Sequence, residues 1–154
     1  MTLKQFLTDL ALAVTGGLLA VTVAAAACSI STTSVNFGNY NVFATTPLDS
    51  TGQVTFRCTG LPVVSVQITI DKGGAPSFNP RLLRQGSQTL SYNLYLDGAR
   101  AILWGDGTGG TQTYTQVLPP LNQDITVQVF GRIPAGQDVS AGVYTNTVTV
   151  TIFF

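Results

Sequence analysis

The stretch that decides the fold is Gly142–Phe154, GVYTNTVTVTIFF. From Tyr144 on, Tyr144, Asn146, Val148, Val150, Ile152 and Phe154 share one face, and Thr145, Thr147, Thr149, Thr151 and Phe153 share the other. Such period-two alternation of β-branched residues marks a half-buried strand. The sequence stops with this strand, so nothing is expected to turn back and pair with it. A strand edge left open in this way recruits strands from other chains. The expected function is therefore structural and assembling rather than catalytic, with Tyr144, Val148, Val150, Ile152 and Phe154 as the strand-accepting edge.

The 154 residues suit one domain and a processed segment. Lys4 begins a short polar region, Leu10–Val14 and Gly17–Val23 form an almost uncharged apolar run, and Ala25-Ala26-Ala27 is a small-x-small cleavage site. These features read as a secretory signal peptide over residues 1–27. The run ends in alanines, without the basic flank of a membrane anchor, so no stable membrane span is expected after cleavage. Residues 28–154 are enough for one β-sandwich.

Cys28 and Cys58 are the two cysteines of the chain. Export and an even count imply one disulfide formed in an oxidising compartment. Closing that loop of about 30 residues is worth roughly 3–4 kcal/mol in the chain-entropy model. A lipid-modified Cys28 is the rival reading, but Ala25 stands where a large aliphatic residue is usual, and Cys58 would be left unpaired.

The chain has no histidine and no glutamate, and its seven basic residues balance seven acidic ones. That charge gives no footprint for nucleic acid or an anionic membrane. A neutral surface also repels copies of itself weakly, which suits a polymer. Ser-His-Asp and Cys-His catalysis and the usual zinc sets lack their parts. Asp71, Asp97, Asp106 and Asp124 lie mostly in turn contexts that favour local backbone contacts over acid–base work. No cofactor and no enzymatic activity are expected.

Further strands are expected at Ser29–Phe37, Gly52–Cys58 (Val54, Phe56 and Cys58 inward), Val64–Ile70 and Leu90–Asp97, and around Ile125–Phe130. Asn39–Ser50 and Asp71–Pro80 read as loops, and Asp97-Gly98 as a turn with Ala101–Trp104 as its returning arm. No stretch after the signal keeps a helical period. In Trp104-Gly105-Asp106-Gly107-Thr108-Gly109-Gly110 the Lys-Ser/Thr and helix of a phosphate loop are missing, and Asp106 alone is a poor calcium site. The expected role of Trp104, Gly105, Asp106 and Gly107 is a tight structural loop anchored by the indole.

Taken in order, these segments resemble the spore coat protein U domain, the fold of subunits of archaic chaperone–usher pili. The matching pieces are Cys28-Ser29-Ile30-Ser31, Val35–Tyr40 (VNFGNY), Thr51-Gly52 leading to Cys58, Leu90–Asp97 (LSYNLYLD), Trp104–Gly110, Gly131–Gly136 (GRIPAG) and Ala141–Ile152. The resemblance implies an all-β, incomplete immunoglobulin-like β-sandwich lacking its final strand. It implies a periplasmic chaperone that lends a strand, an outer-membrane usher that exports the fibre, and other pilus subunits that supply the strand later. It implies secretion through the periplasm to the cell surface, and a role in adhesion or biofilm. Cleavage after Ala27 would leave no tail to donate and place the subunit at a fibre end. Cleavage near Gly16 would instead free Leu19, Val21, Val23 and Ala25 as a donor face. A different class of function is a stand-alone surface or coat protein, or a small adhesin that binds a glycan through the Trp104 loop.

Overall fold

The computed structural model describes residues 25–154. The basic start and apolar run of the expected signal peptide lie outside them. Eight strands and no helix are formed among the described residues: β1 (Ala27–Thr33), β2 (Leu48–Thr59), β3 (Ser65–Ile70), β4 (Arg81–Gln85), β5 (Gln88–Tyr95), β6 (Tyr114–Val117), β7 (Asp124–Ile133) and β8 (Val150–Phe153). They make two antiparallel sheets, one ordered β1-β2-β7-β5-β4 and the other β6-β3-β8. Face to face they enclose one core, the sandwich that the strand pattern predicts, of the immunoglobulin-like kind that the resemblance implies.

Alternation decides which side chains fill that core. Val54, Phe56 and Cys58 of β2, Leu90, Tyr92 and Leu94 of β5, and Val127, Val129 and Ile133 of β7 meet Val66, Ile68 and Ile70 of β3. Cys28 and Cys58 stand directly opposite each other in the β1–β2 register and are bonded. The crosslink therefore fastens β1, the edge strand of the larger sheet among the described residues, to its neighbour β2. Short connections set the two poles of the sandwich. Ala25, the Gly60–Val64 connection, Val117 and Phe153 lie at one pole, here the near pole. The chain between β1 and β2, the Gly86-Ser87 turn and the segment after Ile133 lie at the far pole.

Several elements differ from the expectation. β1 stops at Thr33 rather than Phe37, because the chain beyond it leaves the β2 ladder. Strands β4 and β6 were not foreseen: Arg81–Gln85 alternates poorly, and Tyr114–Val117 is too short for a period to show. The arm after Asp97-Gly98 is reduced to the Tyr95–Leu103 bridge and its flanking bonds. Val64, expected to begin the third strand, is exposed and belongs to the connection before β3. The last strand divides. Thr145 exchanges both backbone bonds with Arg84 on the edge of the larger sheet, whereas only Val150–Phe153 pairs with β3 in the smaller. Phe154 is exposed and lies outside β8.

On the outer face of the larger sheet, Asp49 takes two bonds from its register partner Arg132, at 2.7 and 2.8 Å, and Arg100 stands 3.2 Å away. The Arg132 hydrogen bond, helped by the charge of Arg100 and opposed by slight burial, holds the Asp49 carboxyl below its ordinary range. A folded-state value below the unfolded one stabilises above the ordinary pKa of about 4, and that gain is lost as pH falls through the folded value. Solvent screening limits it to less than about 1 kcal/mol per pair. Asp49→Asn is thus expected to lower stability by less than about 1 kcal/mol above about pH 4 and to flatten part of the acid limb below it, measured as the urea midpoint against pH.

Candidate functional site

The larger sheet ends at β1 and the smaller at β8, and on that side no strand bridges the two among the described residues. One wall of the resulting gap is Thr32–Val42, and the other is Val139–Val150. The floor is apolar: Val54, Ile70, Leu83, Leu90, Tyr92, Leu94, Val129 and Ile133. The gap forms two joined cavities, one of about 970 Å³ toward the far pole and one of about 330 Å³ beside β1 and β8. Of the expected accepting residues, Tyr144, Val148 and Val150 line this groove, and Ile152 continues their face along β8. Tyr144, Val148, Val150 and Ile152 turn inward yet stay only half-buried.

The first wall lies flat on the sheet because glycine lets it. A Cβ on Gly131 would stand 2.6 Å from Val35 and 2.7 Å from Phe37, and one on Gly52 would stand 2.6 Å from the Thr33 carbonyl and 2.9 Å from Val35. Both glycines fall in the quoted Thr51-Gly52 and GRIPAG segments, which gives those motifs a packing reason. Phe37 then meets Tyr92 edge to face at 6.0 Å. Tyr40 fixes the far end, donating its hydroxyl to the Pro134 carbonyl at 3.0 Å and accepting from the Gln137 amide at 2.9 Å.

The second wall is pinned at three points. Thr145 pairs with Arg84, and the Thr149 amide donates to the Asp71 carboxylate at 2.9 Å while its carbonyl accepts from the Asp71 amide at 3.0 Å. Asn146, the polar member of the inward row, donates to the Tyr92 hydroxyl at 2.9 Å. Burial pushes the Tyr92 phenol above its ordinary value, against the pull of that bond, so the groove keeps an un-ionised hydroxyl.

The Trp104 loop sits on the other side of the core. The Trp104 ring is 0% exposed and its Nε1–H donates to the Ile68 carbonyl at 3.1 Å. It offers no face on which a sugar could stack. Gly105 has no room for a side chain, since a Cβ would run into Thr111. Asp106 is turned onto its own loop, accepting from the amide of Thr108 at 2.9 Å and from its hydroxyl at 2.6 Å, and these bonds hold its carboxyl below the ordinary range. Gly107 adopts a φ of +91°, which glycine tolerates without strain.

Arg81 was not foreseen. Its guanidinium, fully buried, donates to the carbonyls of Asp71 at 3.0 Å, Trp104 at 2.6 Å and Ile70 at 3.4 Å, and stacks on Phe78 at 5.1 Å. It thus ties the end of β3 and the Trp104 loop to β4. Nothing in its sequence surroundings marks it, because an arginine beginning a short strand reads as solvated.

The family model described as the Spore Coat Protein U domain matches residues 14–151. Protein U of Myxococcus xanthus is 34% identical over 145 residues, covering 83% of this chain and 78% of that protein. A solved structure, the CsuC–CsuE chaperone–tip adhesion subunit pre-assembly complex from archaic chaperone–usher Csu pili of Acinetobacter baumannii, matches with a TM-score of 0.57 and 21% identity. That match covers 84% of this chain but 40% of the other, so the likeness is one of fold over well under half of the matched chain.

Trp104→Ala is expected to cost about 3–5 kcal/mol, and Trp104→Phe about 1–3 kcal/mol, through the Ile68 carbonyl left without its donor. Chemical denaturation of the purified domain checks both.

Proposed function

The chain belongs to the spore coat protein U domain family, and from that premise we propose that it is a secreted structural subunit of a chaperone–usher pilus that receives a strand from another protein. The observation that carries this reading is the apolar groove between Thr32–Val42 and Val139–Val150, open along the facing edges of β1 and β8. An inserted strand would place about four or five apolar side chains on the floor, worth on the order of 6–15 kcal/mol before ordering costs. Its main chain would pair with an open edge as in β-augmentation. A periplasmic chaperone lends this strand during transit, an outer-membrane usher exports the subunit, and another pilus subunit supplies the strand in the fibre at the cell surface. Adhesion or biofilm formation is the resulting role.

Two versions differ at the N-terminus. Cleavage after Ala27 yields a subunit that accepts a strand and has none to give, at a fibre end. Cleavage near Gly16 retains Leu19, Val21, Val23 and Ala25 as a donor face. Two observations favour the second: Ala26 packs against the core, and Ala27 already pairs with Thr59 at the start of β1. The first version would strip both from the domain. The match to the family model, which begins at residue 14, supports the same choice. The mature N-terminus, read by mass spectrometry of the secreted protein, is expected near Gly16 and upstream of Leu19; a start at Cys28 overturns the donor version.

A peptide spanning residues 17–25 is expected to raise the melting temperature of the purified domain and suppress its self-association. Val148→Asp, which sets a charge in the groove, should abolish that effect. A domain that is monomeric, stable and indifferent to the peptide would refute strand acceptance.

A further inference from the structure

Two polar side chains interrupt the apolar lining of the groove. Tyr92 lies on the floor, between Leu90 and Leu94 of its row, and Asn146 stands between Tyr144 and Val148 on the second wall. Asn146 borders both cavities, so the pair sits where they join. Other polar groups along the walls are committed to the walls themselves. The Tyr144 hydroxyl donates to the Ser140 carbonyl at 3.0 Å, and Tyr40 is bonded at Pro134 and Gln137. Asn36 and Asn41 each accept from a backbone amide two residues on.

Tyr92 and Asn146 are not spent in this way. Their one bond joins them to each other, Nδ2 of Asn146 donating to the phenol oxygen at 2.9 Å. Among the described residues the Tyr92 O–H then has no acceptor and the Asn146 Oδ1 no donor. An amide turned over would reverse the bond and still leave one donor and one acceptor. The placement is built in. A Cβ on Gly73 would stand 2.5 Å from Nδ2 and 2.7 Å from Oδ1 of Asn146, so bare backbone makes room for the amide. Phe37 holds the Tyr92 ring edge to face, and burial keeps the hydroxyl un-ionised and therefore a donor.

Water can serve both groups while the groove is open. A strand that fills the groove expels that water, and a donor and an acceptor stranded against apolar side chains cost affinity. We infer that the groove selects a strand bearing one hydroxyl or carboxamide side chain among its inward apolar ones, placed to exchange hydrogen bonds with Tyr92 and Asn146. Either group carries both a donor and an acceptor. A site built to hydrogen-bond rejects an apolar isostere more strongly than a hydrophobic pocket rejects a missing methylene. This rests on the strand-accepting reading of the proposed function.

The partner's chemistry follows. In the row Leu19, Val21, Val23 and Ala25 of this chain no side chain can make such a bond, and Thr22 falls on the opposite row. A second copy of this chain therefore fits the groove less well than a strand of another polypeptide with Ser, Thr, Asn or Gln at that point.

The test uses labelled peptides of residues 17–25 and the purified, unassembled chain, with dissociation constants read by fluorescence anisotropy. Four peptides each replace one inward side chain by a polar one of similar volume: Leu19→Asn, Val21→Thr, Val23→Thr and Ala25→Ser. One of the four is expected to bind about tenfold tighter than the unsubstituted peptide, and the others more weakly. In a chain carrying Tyr92→Phe and Asn146→Leu that gain should vanish and the unsubstituted peptide bind best. Should this double variant fold poorly, Tyr92→Phe alone, which removes a single oxygen, should shrink the gain. If no polar peptide outdoes the unsubstituted one on the native chain, or the gain survives these substitutions, the selectivity is overturned and strand acceptance stands. If none of the peptides binds the native chain, strand acceptance fails and the selectivity with it.

Discussion

Apolar side chains are best covered and backbone polar groups must be paired or wet, and along one line of this sandwich the described chain leaves Leu83, Tyr144, Val148 and Val150 half-buried and two strand edges without partners. Leu83, Leu90, Tyr92, Leu94 and Val129 form the groove's floor, all but Leu83 buried by the chain itself, while Thr32–Val42 and Val139–Val150 stand apart above it. The edges of β1 and β8 that carry no partner strand among the described residues face the same gap. Exposed strand edges are a liability that proteins normally blunt with charge, proline or bulges. The edge at Val150–Phe153 carries none of these: it is threonine, isoleucine and phenylalanine.

A gap in a core would normally collapse, and the surrounding bonds explain why this one holds its shape. The crosslink fixes β1 to β2, and Gly52 and Gly131 let Val35 and Phe37 lie down on the sheet as a wall. Arg84 and Asp71 hold the opposite wall through backbone pairs at Thr145 and Thr149. Behind the floor, Trp104 and Arg81 lock β3, β4 and the glycine loop together through buried bonds to carbonyls. A groove held open in advance spares an incoming strand the cost of ordering its host. The Trp104 loop therefore serves the groove at a distance, as part of the rigid body that presents it.

The long alternating runs were legible in the sequence because each is governed by a single period. Val54-Phe56-Cys58, Leu90-Tyr92-Leu94 and Val127-Val129 face the core as the pattern demands. The final stretch was legible as a strand but not as one shared between two sheets. Alternation records which side chains turn inward, not which neighbour a backbone bonds to, and the Arg84–Thr145 pair depends on a β4 too irregular to see. The first wall misled in another way: Val35 and Phe37 alternate as a strand would, but they face the core on odd numbers whereas Cys28 and Ile30 of β1 do so on even ones, so the phase shifts where the β1 ladder ends. Arg81 was illegible because a buried cation answered only by carbonyls leaves no charge pattern along the chain.

The two halves of the groove make different demands on whatever fills them. Beside β1 and β8 both flanking edges are regular, so an inserted strand can pair its main chain on either side and needs only modest side chains for the smaller cavity. Toward the far pole the walls are Val35–Val42 and Val139–Asn146, whose irregular course offers no continuous ladder, and the larger cavity must be filled by bulk. For a strand inserted there, hydrogen bonding would fix register in one half and side-chain volume would supply most of the affinity in the other. Because β1 and β8 run in opposite directions, any inserted strand is parallel to one and antiparallel to the other, and the walls alone set no direction. Direction has to come from outside the groove, from whatever holds the body of the molecule that owns the strand.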